Sequence, residues 1–292
     1  MRPPETLLAA ATLLAVVLLP SGAIAAPPII GNSHIVRSNN IILMEGDIVG
    51  PAKSYHQYVI GPESQDTLRD ISIEFARNGQ IEAAGQSYGP NPVWESRLMP
   101  DDIGWISRSV VAVQTGHEQD ISQLISAYKT DERGRIVKVT EVEAGDNTIG
   151  ITNQYYFYTP DDQVRFYVAV GRNPGFGMYL YRPDGRLEKV VKNDNDTLST
   201  FTDNGKDLSS TTKTPHVTYI TECQKWDNSG NCILSEKQEI ISFDYQGELK
   251  SITSRFMLQQ DILYYPPHRA AHPKSRDKKR VFAFRQTPFS AF

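Results

Sequence analysis

Residues 178–191 read MYLYRPDGRLEKVV, and the fold turns on how that stretch bends. Residues 178–181 are apolar and aromatic, residues 187–191 run Leu-Glu-Lys-Val-Val, and Pro183-Asp184-Gly185 lies between them. Three-residue hairpin loops favour a type I turn followed by one left-handed residue. Proline presets φ at the first corner, aspartate suits the second, and glycine takes a positive φ with no Cβ to clash. The spacing makes Tyr181 and Leu187 cross-strand partners. Such an aromatic–aliphatic pair adds about 0.2–1 kcal/mol. One hairpin is marginal in water, so this one requires neighbours.

The chain supplies them. An aromatic residue, a turn, a glycine and an apolar residue recur at Phe75, Gly79 and Ile81, at Trp226, Gly230 and Cys232, and at Phe243, Gly247 and Leu249. Phe201 and Gly205 keep the skeleton with Leu208 one position late. Tyr158 and Val164 keep it with Asp162 in the glycine place, where aspartate is tolerated better than most residues. Tyr128, Gly134 and Ile136 make a longer-loop version. From Gly134 onward the turns fall 17 to 28 residues apart, a period that suggests stacked supersecondary units.

Residues 179–191, YLYRPDGRLEKVV, and residues 128–139, YKTDERGRIVKV, resemble the YD repeat of the RHS and teneurin families: a tyrosine, an acidic turn, Gly-Arg-Leu or its like, then a β-branched residue. The resemblance is fullest over residues 120–192; the other five units keep the skeleton without the Gly-Arg pair. It implies a β-sheet of the kind that, in those families, spirals into a shell around a toxin or an empty lumen, and it implies no catalytic residue. Seven units are too few to close such a shell. The expected fold is therefore all-β: an antiparallel meander of consecutive hairpins, a YD-repeat-like twisted sheet, open or partly curled. An ordinary meander with Asp-Gly and Asn-Gly turns accounts for the same units.

Around that repeat region, 71–265, the chain divides further. Residues 1–25 read as a signal peptide: Arg2, a 13-residue apolar run over 7–19 too short to span a membrane, a Pro-Ser-Gly break, and cleavage after Ala25. Residues 26–70 read as a lead-in cap, with candidate strands at 41–44 and 55–60. The continuous apolar run within 154–170 suggests strands buried on both faces at the sheet centre. Residues 193–214, polar and poor in aliphatics, make the weakest hairpin. A composition of 39% hydrophobic residues with 14 Tyr and 11 Phe suffices for a core, and aromatics favour strands. Net charge is −4, but residues 266–292 carry seven Lys or Arg against one acidic residue, which leaves −10 on the remainder. An acidic body argues against nucleic acid as its ligand.

Few side chains announce chemistry. No motif for a phosphate loop, a nucleophile elbow or a metal site occurs, so no catalytic residue, metal or cofactor is assigned. Trp94 and Trp105 flank loop signals and are either a stacking surface or core plugs with satisfied N–H groups. Arg276, Lys278, Lys279 and Arg280 form a basic cluster in the tail, suited to an anionic surface or to solvent. Cys223 and Cys232, the only cysteines, are expected to pair in an exported chain. If Trp226 opposes Cys232, simple alternation points Cys223 to the other face, so the disulfide demands a distorted turn. The reading is a periplasmic or secreted non-catalytic protein with no transmembrane span. Its partner is a protein or glycan, and the YD resemblance implies an accessory or immunity role beside a toxin. The alternative is an envelope-polymer hydrolase or a carbohydrate-binding protein.

Overall fold

The computed structural model describes residues 34–44, 46, 48–61, 67–88, 94–115, 118–145, 148–193, 195–245 and 248–266. One helix, α1 (His34–Met44), precedes sixteen strands among these residues. The first eight are β1 (Ala52–Ile60), β2 (Thr67–Phe75), β3 (Ile81–Tyr88), β4 (Trp94–Asp101), β5 (Gly104–Thr115), β6 (Glu118–Thr130), β7 (Ile136–Gly145) and β8 (Thr148–Tyr158). The rest are β9 (Val164–Gly171), β10 (Gly175–Tyr181), β11 (Leu187–Lys192), β12 (Asp196–Phe201), β13 (Asp207–Lys213), β14 (Val217–Trp226), β15 (Cys232–Tyr245) and β16 (Glu248–Tyr264). Consecutive strands pair antiparallel, and β1 also pairs with β16, so the sheet is a closed barrel.

Closure corrects the expected open or partly curled sheet. Tyr58 lies opposite Gln259 and Tyr55 opposite Ile262, pairings between residues about two hundred positions apart. They satisfy the two rows of backbone donors and acceptors that free edges would expose. Seven YD units are too few for a spiralling shell, but sixteen strands are ample for a simple barrel, whose girth is set by strand number and tilt. The barrel also begins at Ala52, inside the span read as a lead-in cap.

The decisive hairpin forms as its residues dictate. Tyr181 faces Leu187, and Gly185 sits at φ 81°. Arg182 N donates to Arg186 O and Gly185 N to Arg182 O, both at 2.9 Å. The same two bonds close the turns at 76–80, 131–135, 159–163, 202–206 and 227–231. Asp162 takes the left-handed place at φ 64°. In the 130–136 turn, Thr130 rather than Tyr128 faces Ile136, and Tyr128 faces Val139. The seventh unit differs: Phe243 faces Lys250 and Asp244 faces Leu249, so Phe243 and Leu249 are not partners. That connection joins an odd strand to an even one and lies at the other end of the barrel. At the six-turn end, β4 and β5 are joined by Asp102 and Ile103 alone, with Gly104 at φ 149°. A Cβ on Gly104 would lie 2.1 Å from the Tyr128 carbonyl oxygen, so only glycine fits there.

Residues 41–44 are a correction of a second kind: they end α1 instead of forming a strand. The helix lies across the six-turn end. Ile41 and Ile42 join Phe75, Ile81, Trp105, Ile136, Val139, Tyr156, Val164 and Tyr179 in one core. Since those residues come from strands spread round the wall, their shared face is the inside of the barrel. Ser38, Asn39 and Asn40 each bond a different turn: Ser38 Oγ to Asp162 O (3.0 Å), Asn39 Nδ2 to Gly134 O (2.8 Å) and Asn40 Nδ2 to Gly79 O (3.0 Å). The linker that follows docks on a fourth turn, where Asn231 exchanges two 2.8 Å bonds with the Val49 backbone.

Candidate functional site

Two regions of the barrel carry side chains that its architecture alone does not require. The first is an outer sector on β8, β9 and β10. Tyr156, Ala169 and Tyr179 are buried inside, so their alternating neighbours point out. Phe157 lies opposite Phe166, which lies opposite Met178; Tyr155 lies opposite Val168, which lies opposite Phe176. The Phe157 and Phe166 rings stack with centroids 4.5 Å apart. Phe157, Val170 and Leu180 are each close to half exposed, and Ile149 is 74% exposed. The run within 154–170 is thus buried on one face and open on the other, which corrects the expected two-sided burial.

Elsewhere the outer wall carries polar and charged pairs, with apolar groups such as Met99, Val110, Leu198 and Leu263 exposed singly among them. His56 and Asp70 approach to 2.7 Å, Arg97 and Glu95 to 2.7 Å, and Arg255 and Glu236 to 3.6 Å. Each pair sits on the face opposite a buried neighbour: Tyr55 for His56, Leu98 for Arg97, Ser235 for Glu236.

The second region is inside. On the β12–β16 side, against the α1 linker, a cavity of about 280 Å³ is lined by Met44, Tyr55, Ser210, Thr221, Ser235 and Gln260 among others. The Cys223–Cys232 disulfide forms part of its wall. The parity conflict at that bond resolves through register shifts between Cys223 and Lys225 and between Lys225 and Trp226. Disulfides form and persist in oxidising compartments.

Above the cavity, inward positions hold cations and rings. Arg69 donates to Gln86 Oε1 at 3.0 Å and lies 5.6 Å from the Tyr88 ring. Lys237 Nζ is 4.2 Å from the Tyr219 ring. Burial first, and then the charge of Arg69, push the Lys237 ammonium below the usual lysine range. Burial and a hydrogen bond to Glu239 raise the Tyr219 phenol.

Of the residues singled out from sequence, Trp94 is half-buried on β4 and meets Tyr88 edge-on at 6.2 Å, beside this cluster. Trp105 is 2% exposed and its Nε1 donates to Ile81 O at 3.0 Å, which is the core-plug arrangement. Arg276, Lys278, Lys279 and Arg280, like the signal-peptide region, lie outside the described residues. Sequence reasoning passed over Arg69, Tyr219 and Lys237. Their signal, long polar side chains at alternate positions of strands, is shared by solvent-facing residues, and only barrel closure turns them inward. No group of three or more His, Cys, Asp or Glu suited to a metal occurs among the described residues. No helix among them is long and apolar enough to cross a membrane.

No family model matches the chain, and no curated protein does. Among solved structures it is similar to a porin-like protein from Bacteroides uniformis, at 10% identity over 74% of this chain and 98% of that one, with a TM-score of 0.42. It is also similar to TcdB2-TccC3 without its hypervariable C-terminal region, at 9% identity over 67% of this chain and 16% of that one (TM-score 0.25). TcdB2-TccC3 itself gives 10% identity, 66% and 14% coverage, and a TM-score of 0.24.

Proposed function

We propose that the protein is an exported, non-catalytic barrel that docks on another protein through the outer face of β8–β10. The observation that carries this reading is the concentration of nine exposed large apolar side chains on three consecutive strands, where the rest of the outer wall carries such groups sparsely. Half-exposed groups of that size leave roughly 800 Å² open. That exceeds the largest patch of a typical monomer and equals one partner's share of a standard interface, about 800 Å². The sector offers little for a glycan, whose hydroxyls need amide or carboxylate partners beside the rings.

Lipid is a poorer fit. A membrane strand needs about 9–11 residues. β11 and β12 have six each. At about 3.3 Å per residue they reach ~20 Å even without tilt, short of an apolar band ~25 Å tall. Arg97 and Arg255 on the outer wall would each add about 2–4 kcal/mol at a bilayer midplane. Export is supported by the disulfide and by the apolar run over 7–19. A role beside a secreted RHS-type toxin is the narrower form of the proposal and rests on the Gly-Arg turns.

The test places a photo-cross-linking residue at 157 or 178, with position 259 on the opposite outer wall as control, in the native envelope. The expected result is one discrete adduct with another protein from 157 and 178 and none from 259. An adduct only with a second copy of this chain, no adduct, or the same adducts from 259 overturns the proposal.

A further inference from the structure

The inside of the barrel suggests a second, independent site. Val59 is paired with Arg69 on one side and Leu258 on the other, and Leu258 with Ser235. Arg69 and Ser235 therefore stand on one row across four strands, and Lys237 is the next inward position above Ser235. Between the two cations lie Val59, Leu258 and Phe256, whose apolar side chains offer no charge. Lys237 is also opposite Thr221, which lines the cavity together with Ser235. Lys237 thus stands next to the cavity wall, with Arg69 at the far end of the Ser235 row.

Three features of this chamber point to a missing ligand. The charge of Arg69 reaches Lys237, and Glu239 is the carboxylate that reaches it. Within this cluster, two cations stand against one carboxylate. Among the described residues, Arg69 Nε and Ser235 Oγ are buried with no hydrogen-bond partner. Ser235 is only 2% exposed. Buried polar groups are nearly always paired, so an unpaired hydroxyl at the cavity wall and an unpaired guanidinium N–H on the same row want an explanation. Finally, the wall below the cations carries hydroxyl and amide groups from Ser199, Ser210, Thr221, Ser235 and Gln260, and its carboxylate, Asp207, is held by Arg186 at 2.6 Å.

We infer that the chamber binds a small sugar acid, with its carboxylate between Arg69 and Lys237 and its hydroxylated ring in the cavity below. An anion there would relieve the repulsion between the two cations. Arginine would hold it through its fork and lysine as a point charge. A cavity of about 280 Å³ suits one ring and not a chain of them. Tyr88 and Tyr219, which already hold the two cations by their faces, keep those side chains directed inward.

Calorimetric titration of the full chain with glucuronate, glucose and inorganic phosphate tests the inference, with thermal shift as a second readout. Glucuronate is expected to bind at millimolar concentration or below, and glucose and phosphate at least about tenfold more weakly, since each lacks one half of the match. Arg69→Met and Lys237→Met are each expected to weaken glucuronate binding by about tenfold or more, the loss of one charge-assisted bond. No heat and no thermal shift with glucuronate, or phosphate binding as tightly as glucuronate, overturns the inference. So does unchanged binding in both variants. Should a variant fail to fold, the comparison of the three probes on the unaltered protein still decides. Because the docking face is on the outer wall, the cross-linking pattern is expected to be the same with and without glucuronate.

Discussion

The side-chain oxygen of Asn39 accepts the backbone N–H of Ile136 at 3.0 Å, in the gap where the β6–β7 turn bulges out of its ladder. The same amide donates to Gly134 O on the other side of the bulge. Asn39 is 4% exposed and Ile136 fully buried, so the Ile136 N–H has no water to replace this partner. Asn39→Ala is expected to destabilise the barrel by about 1–3 kcal/mol, the cost of leaving a buried donor unmade. Urea unfolding checks this: the midpoint falls while the slope is unchanged. A loss below about 0.5 kcal/mol would mean that α1 does not depend on this anchor.

Arg186 links its own hairpin to the next. Its guanidinium bonds Gly205 O and Asp207 Oδ1, the latter at 2.6 Å, and lies 4.6 Å from the Phe201 ring. Arg135 does the equivalent, reaching Asp131 in its own turn and Asp162 in the following one. The Gly-Arg pair of these two units thus divides the work, with glycine making the corner and arginine tying it to its neighbour. Arg186→Lys keeps the charge and loses the fork and the flat stacking surface. The expected loss is about 1–2 kcal/mol, with hydrogen exchange accelerating in β12 and β13 more than in β5 and β6. Uniform acceleration, or none, would count against the tie.

What could be read beforehand follows from how local each cause is. Pro183-Asp184-Gly185 specifies its turn within seven residues, so the Tyr181–Leu187 pairing was legible. Phe243 and Leu249 have the same spacing but not the same pairing, because their connection lies at the other end of the barrel. Residues 41–44 look like a strand by composition, and α1 becomes a helix through bonds from Ser38, Asn39 and Asn40 to turns 39 to 126 positions away. The β1–β16 seam has no local signature, and without it neither the inward cations nor the outward aromatics can be assigned a side.

Alkaline titration should expose the interior. Burial raises the phenols of Tyr55, Tyr156 and Tyr158, and burial together with a hydrogen bond to Asp227 pushes Tyr264 up to about 12. An unfolded tyrosine ionises near pH 10. Above that pH the unfolded chain gives up protons that the fold retains, so stability falls as pH rises. The contribution of Tyr264 is fully present below about pH 10 and lost as pH rises through about 12. Phenolate absorbance and far-ultraviolet circular dichroism, followed together, should show one group of tyrosines ionising near pH 10 with the sheet intact. A second group ionises only as the sheet signal disappears. All fourteen tyrosines ionising in a single step near pH 10, with the sheet unchanged, would contradict this burial.

The seam itself can be trapped covalently. Tyr58 on β1 and Gln259 on β16 are direct partners on the outer face. Cα atoms of antiparallel partners lie about 4.5–5.5 Å apart, within the reach of a disulfide. A Tyr58→Cys/Gln259→Cys variant is therefore expected to oxidise without distortion and to run faster than its reduced form on a denaturing gel. In the chain-entropy model a loop of about two hundred residues gains up to about 5 kcal/mol from such a link, so the oxidised barrel should also melt at a higher temperature. Pairing Tyr58→Cys with Ser251→Cys, eight residues away on the same face of β16, supplies the control for chance encounter. An open sheet would separate β1 from β16 and leave both pairs reduced. A closed barrel links only the first.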